Sequence, residues 1–418
     1  MRLIKSMTLF IAAFWLVALP TANSEPIISG FLQGLYGGGL EDDNPTSSDW
    51  TASETRLQIR VESYSDASEF FGRLDFTYDD FNSPNVRADL REGYLKFRPG
   101  SNLDIKIGRQ IATWGTGDLI FINDLFAKDY QSFFIGRDDQ YLKAPHNALR
   151  AEFYSDVINL TAIYTPRFTP NIIPTGERLS YFNPMTGSIV GGENFIFEGT
   201  MPEATIENGE IAAKLSRYFG SADFALYFYN GFYKNPVGIN MANMSAFFPE
   251  LSVYGGSIRM PVLGGIAWIE TGYYDSREDK EGDNPLIPNS TVSTIAGFER
   301  QIATNLTANI QYQNEMMLNH DAYVNSLPPM MIEMDKTYHL VTSRVTKMLL
   351  METLTLSGFV FYSTSEEDLY ARFSASYKYT DALTLAVGGN IFDGNKEYTD
   401  FGAFQKNDNL YIKVTYGY

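Results

Sequence analysis

Apolar and polar residues alternate with a period of two along most of this chain, in segments of about ten residues separated by turns. Residues 55–64 show the pattern most clearly. Leu57, Ile59 and Val61 fall on one face of an extended strand, and Arg56, Gln58, Arg60 and Glu62 fall on the other. Residues 410–418 repeat it, with Leu410, Ile412, Val414, Tyr416 and Tyr418 opposite Tyr411, Lys413, Thr415 and Gly417. One such strand fits a soluble sandwich as well as a membrane barrel. In a barrel the apolar row meets lipid and the polar row meets the lumen. The number and spacing of the strands decide between these readings.

Further strands are predicted at 27–37, 69–78, 89–98, 102–110, 147–154, 157–165, 209–218, 222–233, 251–260, 265–274, 291–301, 305–316, 336–347, 352–362, 369–379 and 383–392. With 409–418 as the last, the series holds about eighteen strands, with sixteen as the alternative, each near the length a tilted strand needs to cross a bilayer. Connections alternate short (65–68, 99–101, 155–156, 219–221, 261–264, 380–382) and long (38–54, 111–146, 166–208, 234–250, 275–290, 317–335, 393–408). Short turns on one rim and long loops on the other are the barrel arrangement, and a sandwich gives no reason for it. The expected fold is therefore an all-β, transmembrane, antiparallel β-barrel over residues 25–418, whose last strand pairs with its first. Closure at this strand number leaves an aqueous lumen rather than a packed core. Arg56, Arg60, Arg73, Arg150 and Glu152 are expected on its wall.

The N-terminus adds export. Arg2 and Lys5 precede an apolar run, 7–19, broken only by Thr8, and Pro20 leads to Ala22-Asn23-Ser24. This is a secretory signal over 1–24, with cleavage expected before Glu25. A run of thirteen residues is too short to span a bilayer, and no later apolar run reaches the length that would. Removing the signal takes away two bases and no acid, which moves the net charge from −18 to −20. That acidity argues against nucleic acid as a partner. The absence of cysteine excludes disulfides, thiol catalysis and covalent haem attachment. The 27 Tyr and 30 Phe are an excess that aromatic girdles at two membrane interfaces would use. Together these place the chain in a bacterial outer membrane, in contact with lipid and lipopolysaccharide.

The connection 111–146, third on the long-loop rim once the shorter link 79–88 is counted, is too long for a simple hairpin. It carries Asp118, Asp124, Asp129, Asp138 and Asp139 with Lys128, Arg137 and Lys143, and it also holds Trp114, Ile120, Phe121, Leu125, Phe126, Phe133, Phe134 and Ile135. Apolar groups in a loop need cover, and the barrel interior is nearest. The expectation is an inward fold that narrows the lumen, with Trp114, Asp118, Asp124, Asp129 and Arg137 at the constriction. Its acids would stand opposite Arg56, Arg60, Arg73 and Arg150 and screen solutes by size and charge.

Gly108-Arg109-Gln110 followed by Trp114-Gly115 and Asp118 resembles a motif of poorly characterised outer-membrane barrels encoded beside RND-type exporters. Tyr229-Asn230-Gly231-Phe232 before Pro236, Gly264-Gly265-Ile266-Ala267 before Glu270, and Gly388-Gly389-Asn390-Ile391-Phe392 are similar as well. The resemblance implies a porin-like barrel, and it raises hydrophobic or lipid-like cargo handled with an inner-membrane transporter. The residues themselves point first to a porin passing small hydrophilic solutes, as a monomer or a homo-oligomer. A barrel that sheaths a partner protein is a third reading.

An enzyme would need a histidine beside a serine or carboxylate. His339 and Ser343 share a strand face but lie about 13 Å apart, and His320-Asp321 and His146 fall in or beside loops. Acidic clusters at 275–283 and 41–49 lack the spacing of a calcium loop and read as solvated surface. No phosphate loop, zinc spacing or cofactor motif appears, so no cofactor, no metal and no catalytic residue is expected.

Overall fold

A computed structural model describes residues 25–192, 199–242, 245–329 and 331–418. The expected signal segment, 1–24, lies outside the described residues. The first half of the barrel runs β1 (Ile27–Gly39), β2 (Trp50–Tyr64), β3 (Ser68–Asp79), β4 (Val86–Gly100), β5 (Leu103–Gln110), β6 (His146–Phe153) and β7 (Asn159–Thr165). After a ribbon of β8 (Tyr181–Asn183) and β9 (Ser188–Val190), the wall resumes with β10 (Glu210–Phe219) and β11 (Ala222–Phe232). A second ribbon, β12 (Gly238–Asn240) and β13 (Ser245–Phe247), precedes β14 (Glu250–Val262), β15 (Gly265–Ser276), β16 (Thr291–Ala303) and β17 (Leu306–Met317). The wall ends with β18 (Thr337–Leu349), β19 (Leu354–Ser363), β20 (Asp368–Lys378), β21 (Leu383–Gly394) and β22 (Asn409–Gly417).

Leaving out the two ribbons, eighteen strands form one antiparallel sheet in which each pairs with its neighbours. The ring closes where β1 pairs with β22, from Phe31 opposite Gly417 to Gly39 opposite Asn409. Gly30 and Tyr418 extend this seam by exchanging backbone hydrogen bonds at 3.1 Å. The eighteen-strand expectation therefore holds over the sixteen-strand alternative. Closure removes both sheet edges, so no row of backbone N–H and C=O groups faces hydrocarbon unpaired. Among the described residues, no helix is long and apolar enough to cross a membrane.

The two rims differ as the sequence spacing required. Eight brief turns, such as 101–102, 220–221 and 304–305, lie at the rim that holds both chain ends, and the loops 40–49, 111–145, 166–209, 233–249, 277–290, 318–336 and 395–408 lie at the other. Two joins on the long-loop rim, 80–85 and 364–367, stay short. On β22 the alternation is plain. Leu410, Ile412, Val414 and Tyr416 are 45–56% exposed, whereas Tyr411 between them is 4% exposed. On β2, Arg56, Gln58 and Glu62 are buried inside.

The interior corrects one expectation. It is not lined by polar groups and water alone. Leu35, Ile295, Leu340, Phe359, Phe361, Tyr370, Phe392 and Tyr411 on the inner rows pack against Ile120, Ile122, Phe133, Phe134, Ile135 and Leu142 of the 111–145 segment. Side chains from the third loop thus share an apolar core with the wall.

The outward row gives a test. Val414→Arg, near the middle of β22, is expected to cost on the order of 2–4 kcal/mol in urea unfolding from lipid bilayers. Thr415→Arg, on the inward row, is expected to cost well under half of that.

Candidate functional site

The 111–145 segment has a fold of its own. Asp124 and Lys128 form a buried ion pair at 2.9 Å, and the Lys128 ammonium also donates to the carbonyls of Phe126 (2.6 Å) and Asp124 (3.3 Å). The Thr113 hydroxyl donates to the other Asp124 oxygen at 2.8 Å. Burial pushes the Lys128 ammonium below its ordinary value, and Asp124 opposes this. Asp129 caps the short helix Tyr130–Phe134, accepting from the Ser132 backbone N–H (2.7 Å) and hydroxyl (2.6 Å). The backbone of Tyr130 donates to Ile172 and that of Ile172 to Lys128, both at 2.8 Å, so the next loop braces the segment.

Its contacts with the wall fall on widely separated strands. On β15, the fully buried Glu270 carboxylate accepts from Thr116 N–H (2.5 Å), the Thr116 hydroxyl (2.8 Å), Asn123 N–H (2.9 Å) and the Asn123 amide (3.0 Å). On β17, Gln311 clamps the Asp118 backbone from both sides, accepting from its N–H at 2.7 Å and donating to its carbonyl at 2.8 Å. That clamp adjoins Leu119, whose φ of 61° is a left-handed conformation that a side-chain-bearing residue adopts only when held. On β18, Arg344 lies 3.0 Å from the Asp118 carboxylate. Burial pushes the Asp118 carboxyl above its ordinary value, and Arg344 opposes this.

The far end of the segment meets the other arc. Arg137 reaches Glu54 on β2 at 2.5 Å and Asp79 on β3 at 3.3 Å. Asp138 pairs with Lys413 on β22 and accepts from Gln33 on β1 at 2.9 Å. Burial would raise the Asp138 carboxyl, but Lys413 and Gln33 outweigh it and hold it below its ordinary value. Asp139 pairs with Arg372 on β20 at 2.9 Å. The Tyr141 hydroxyl donates to Asp75 on β3 at 2.9 Å, and its ring lies between the guanidinium groups of Arg56 (4.2 Å) and Arg91 (4.3 Å).

Two wall glycines receive the middle of the segment. Gly255 and Gly272 face each other across β14 and β15. A Cβ on Gly255 would collide with the Asn123 amide, and one on Gly272 would come within 2.8 Å of Ile122. The missing side chains form a hollow into which Ile122 and Asn123 fit.

The sequence-derived residues divide into three groups. Asp118 and Arg137 meet the wall, but through Arg344, Glu54 and Asp79. Asp124 and Asp129 are spent on the segment's internal fold. Trp114 is half-buried, edge-on to Phe126 at 5.0 Å and tilted toward Tyr227 at 6.1 Å. The expected pairing of the loop acids with Arg56, Arg60, Arg73 and Arg150 is therefore corrected, because wall acids already hold those arginines. Arg56 pairs with Glu54 (2.6 Å) and Asp75 (2.7 Å), Arg60 with Glu62, Arg73 with Glu92 (2.7 Å) and Arg150 with Glu152 (2.7 Å). In the sequence Glu270 stands out only as the acid that follows the Gly264–Ala267 motif, and Gln311 only as a polar residue on an inward row; neither signal names its partner in the segment.

His339 and Ser343, which share a strand face, engage different partners. The His339 ring nitrogen Nδ1 lies 2.8 Å from the Tyr312 hydroxyl, while the Ser343 hydroxyl donates to the Asn309 carbonyl at 3.1 Å. His146 stacks on Phe126, and neither of its ring nitrogens has a hydrogen-bond partner. In the acidic loop 277–290, Asp279 accepts from the backbone N–H groups of Gly282 (3.0 Å), Asp283 (3.3 Å) and Asn284 (3.0 Å), which makes it a turn anchor.

Residues 42–314 match the model of a family described as "Protein of unknown function (DUF1302)". The chain belongs to that family. A search of curated proteins finds no match for this DUF1302 chain. Solved structures share its fold: OccAB3 of Acinetobacter baumannii (8% identity, TM-score 0.56, covering 94% of this chain and 99% of that one) and OccK3 (OpdO) of Pseudomonas aeruginosa (12%, 0.56, 94% and 95%). OccK5 (OpdH) of Pseudomonas aeruginosa is similar too (10%, 0.54, 94% and 98%). At these identities the likeness is one of fold: a closed outer-membrane-type barrel.

Losing the β15 anchor has a defined consequence. Glu270→Ala strands four donors, and Gly272→Leu fills the hollow. Each is expected to remove hydrogen-exchange protection across 116–124 while the barrel keeps its heat-modifiable gel migration. Protection unchanged from wild type in both variants would contradict the anchoring role.

Proposed function

We propose that this chain is an outer-membrane diffusion channel for small hydrophilic solutes, with residues 111–145 reaching across the lumen and setting its width. One observation carries the reading. A single segment is tied to β15, β17 and β18 at one end and to β1, β2, β3, β20 and β22 at the other. A loop resting on the outer rim would not engage inward rows around so much of the circumference. No enzymatic step is part of the proposal.

In this reading the constriction is bordered by opposed fixed charges: Asp118 with Arg344, Asp139 with Arg372, Asp138 with Lys413, and Arg137 with Glu54 and Asp79. Such pairs set up a field across the path, which favours solutes that can align with it. Asp124, Asp129 and Trp114 act one step back, by keeping the segment folded. Arg60, Arg150 and Glu152 would line the vestibule toward the short-turn rim, whereas Arg73 donates to Gln140 of the segment at 3.1 Å and Arg56 lies against the Tyr141 ring. Lipid covers the outward apolar row.

The second reading, passage of a hydrophobic or lipid-like molecule with an inner-membrane exporter, draws support from the apolar lining of a cavity above the segment. A barrel that sheaths a partner protein is disfavoured, because the chain's own segment occupies the interior.

Planar-bilayer recording tests the channel. Deleting 123–137 is expected to raise single-channel conductance several-fold, and unchanged conductance would count against a constriction. Asp118→Asn is expected to lower cation over anion preference in reversal-potential measurements. Asp124→Asn, which breaks a buried pair, is expected to give noisy, enlarged openings instead of a shift in selectivity.

A further inference from the structure

Above the 111–145 segment, toward the long-loop rim, lies a cavity of about 760 Å³. Its floor is Leu119 to Ile122 with Tyr130 and Phe133, and its sides come from the loops 233–249, 277–290, 318–336, 364–367 and 395–408. The volume falls in the range of small-molecule sites. Loops at an outer rim are usually polar, yet Leu286, Ile287, Met331, Ile332 and Met334 turn toward this space. Ile332 and Met334 keep 42% and 60% of their surface exposed. Apolar surface that five loops gather around one space, and that no other described residue covers, marks a binding face. Methionines give such a face adaptable shape.

The charge of the chamber is one-sided. Among the described residues Glu315, Asp335, Glu366 and Asp400 line it against a single base, Lys336. Among the described residues none of these four acids is in an ion pair, although the acids that anchor the segment at the opposite arc are all paired. Asp400 lines the chamber together with Tyr338, Phe361, Tyr370 and Phe401 and keeps accessible surface. Its backbone N–H donates to Glu366 at 3.0 Å, which brings the two carboxylates together. With no countercharge, burial and then Asp400 push Glu366 up to about 7, and Asp400 itself is raised by burial and Asp368. Asn289, also on the lining and 3% exposed, has no partner for its side-chain oxygen.

A bare metal ion does not fit this arrangement. Among the described residues no three acidic or histidine side chains converge closely enough to hold one. Carboxylates spread over an aromatic and aliphatic wall suit a larger ligand, whose positive charge is met by acids and ring faces while its body is buried. We infer that the chamber binds an organic cation with an apolar body, an amine or quaternary ammonium compound, at the outer mouth of the barrel. The inference goes beyond the channel reading and does not require conduction.

The test uses the full chain in lipid nanodiscs, titrated calorimetrically against empty discs. The probes are naphthylmethylammonium, naphthylacetate as an anion of matching size, and ethylammonium as a cation without the apolar body. Saturable binding of one naphthyl cation per chain is expected, with the other two probes weaker by at least about tenfold, a difference of ~1.4 kcal/mol. The double variant Glu366→Gln/Asp400→Asn is expected to lose about the same factor. Leu286→Trp, which fills the space, is expected to abolish binding. Equal affinity for naphthylacetate, or a double variant that binds like wild type, overturns the inference. The three-probe comparison needs only the wild-type chain, so a misfolded variant cannot shield the idea. Conductance recorded on the same preparation separates the two proposals. A conducting barrel that does not prefer the naphthyl cation removes this inference and leaves the channel. A barrel that binds it with that preference but does not conduct removes the channel and leaves this inference.

Discussion

Hydrocarbon offers no hydrogen bonds, and most of this molecule follows from that. Each unpaired backbone group at membrane depth costs several kcal/mol. A sheet that enters the bilayer must therefore close on itself, as β1 and β22 do from Phe31 to Gly39. Closure in turn assigns every strand two faces. Leu410, Ile412 and Val414 stay outside because lipid accepts them, and Gln33, Arg56 and Gln58 stay inside, where partners are available. The rims carry whatever the wall cannot, with tight turns on one side and long loops on the other.

Eighteen strands enclose more space than their own inward side chains fill. The third loop resolves this by bringing its own apolar residues, and the wall answers with Phe359, Phe361, Tyr370, Phe392 and Tyr411 instead of charges at that level. Polar anchors then fix the position of this apolar plug. Glu270 gathers four donors at one end, and Lys413, Arg372 and Glu54 hold acids and a base at the other. Pairing at this level is close to complete, which is why the unpaired acids of the chamber above it stand out. The same barrel thus presents two environments in series: a charge-paired level where the segment meets the wall, and an outer apolar chamber with an excess of negative charge.

The wall was legible in the sequence because lipid imposes a contrast of period two that survives wherever the inner row is polar. On β2 the contrast between Leu57, Ile59, Val61 and their neighbours gives the faces directly. It fades on β19, where the inward Phe359 and Phe361 alternate with the outward Val360 and Tyr362, so both rows are apolar. That loss of contrast is the trace of the plug, and it is visible only once the plug is known. The third loop's length and apolar content pointed inward, but its partners could not be read. Glu270 meets residues more than a hundred positions away, and Asp138 reaches Lys413 across 275. Periodicity assigns a residue to a face but does not say which strand stands across the lumen. Asp124 and Asp129 looked like lumen charges because sequence cannot separate an acid that folds a loop from one that the loop displays.

The most direct test of the segment's position uses the absence of native cysteine. Asn123→Cys combined with Gly255→Cys places two thiols where the segment enters the β14–β15 hollow, within the reach of a disulfide. Mild oxidation of intact outer membranes is predicted to link them in nearly every assembled barrel, detected as a joined peptide pair by mass spectrometry. The contradicting result is an assembled, heat-modifiable barrel in which no link forms and both thiols react freely with a water-soluble maleimide.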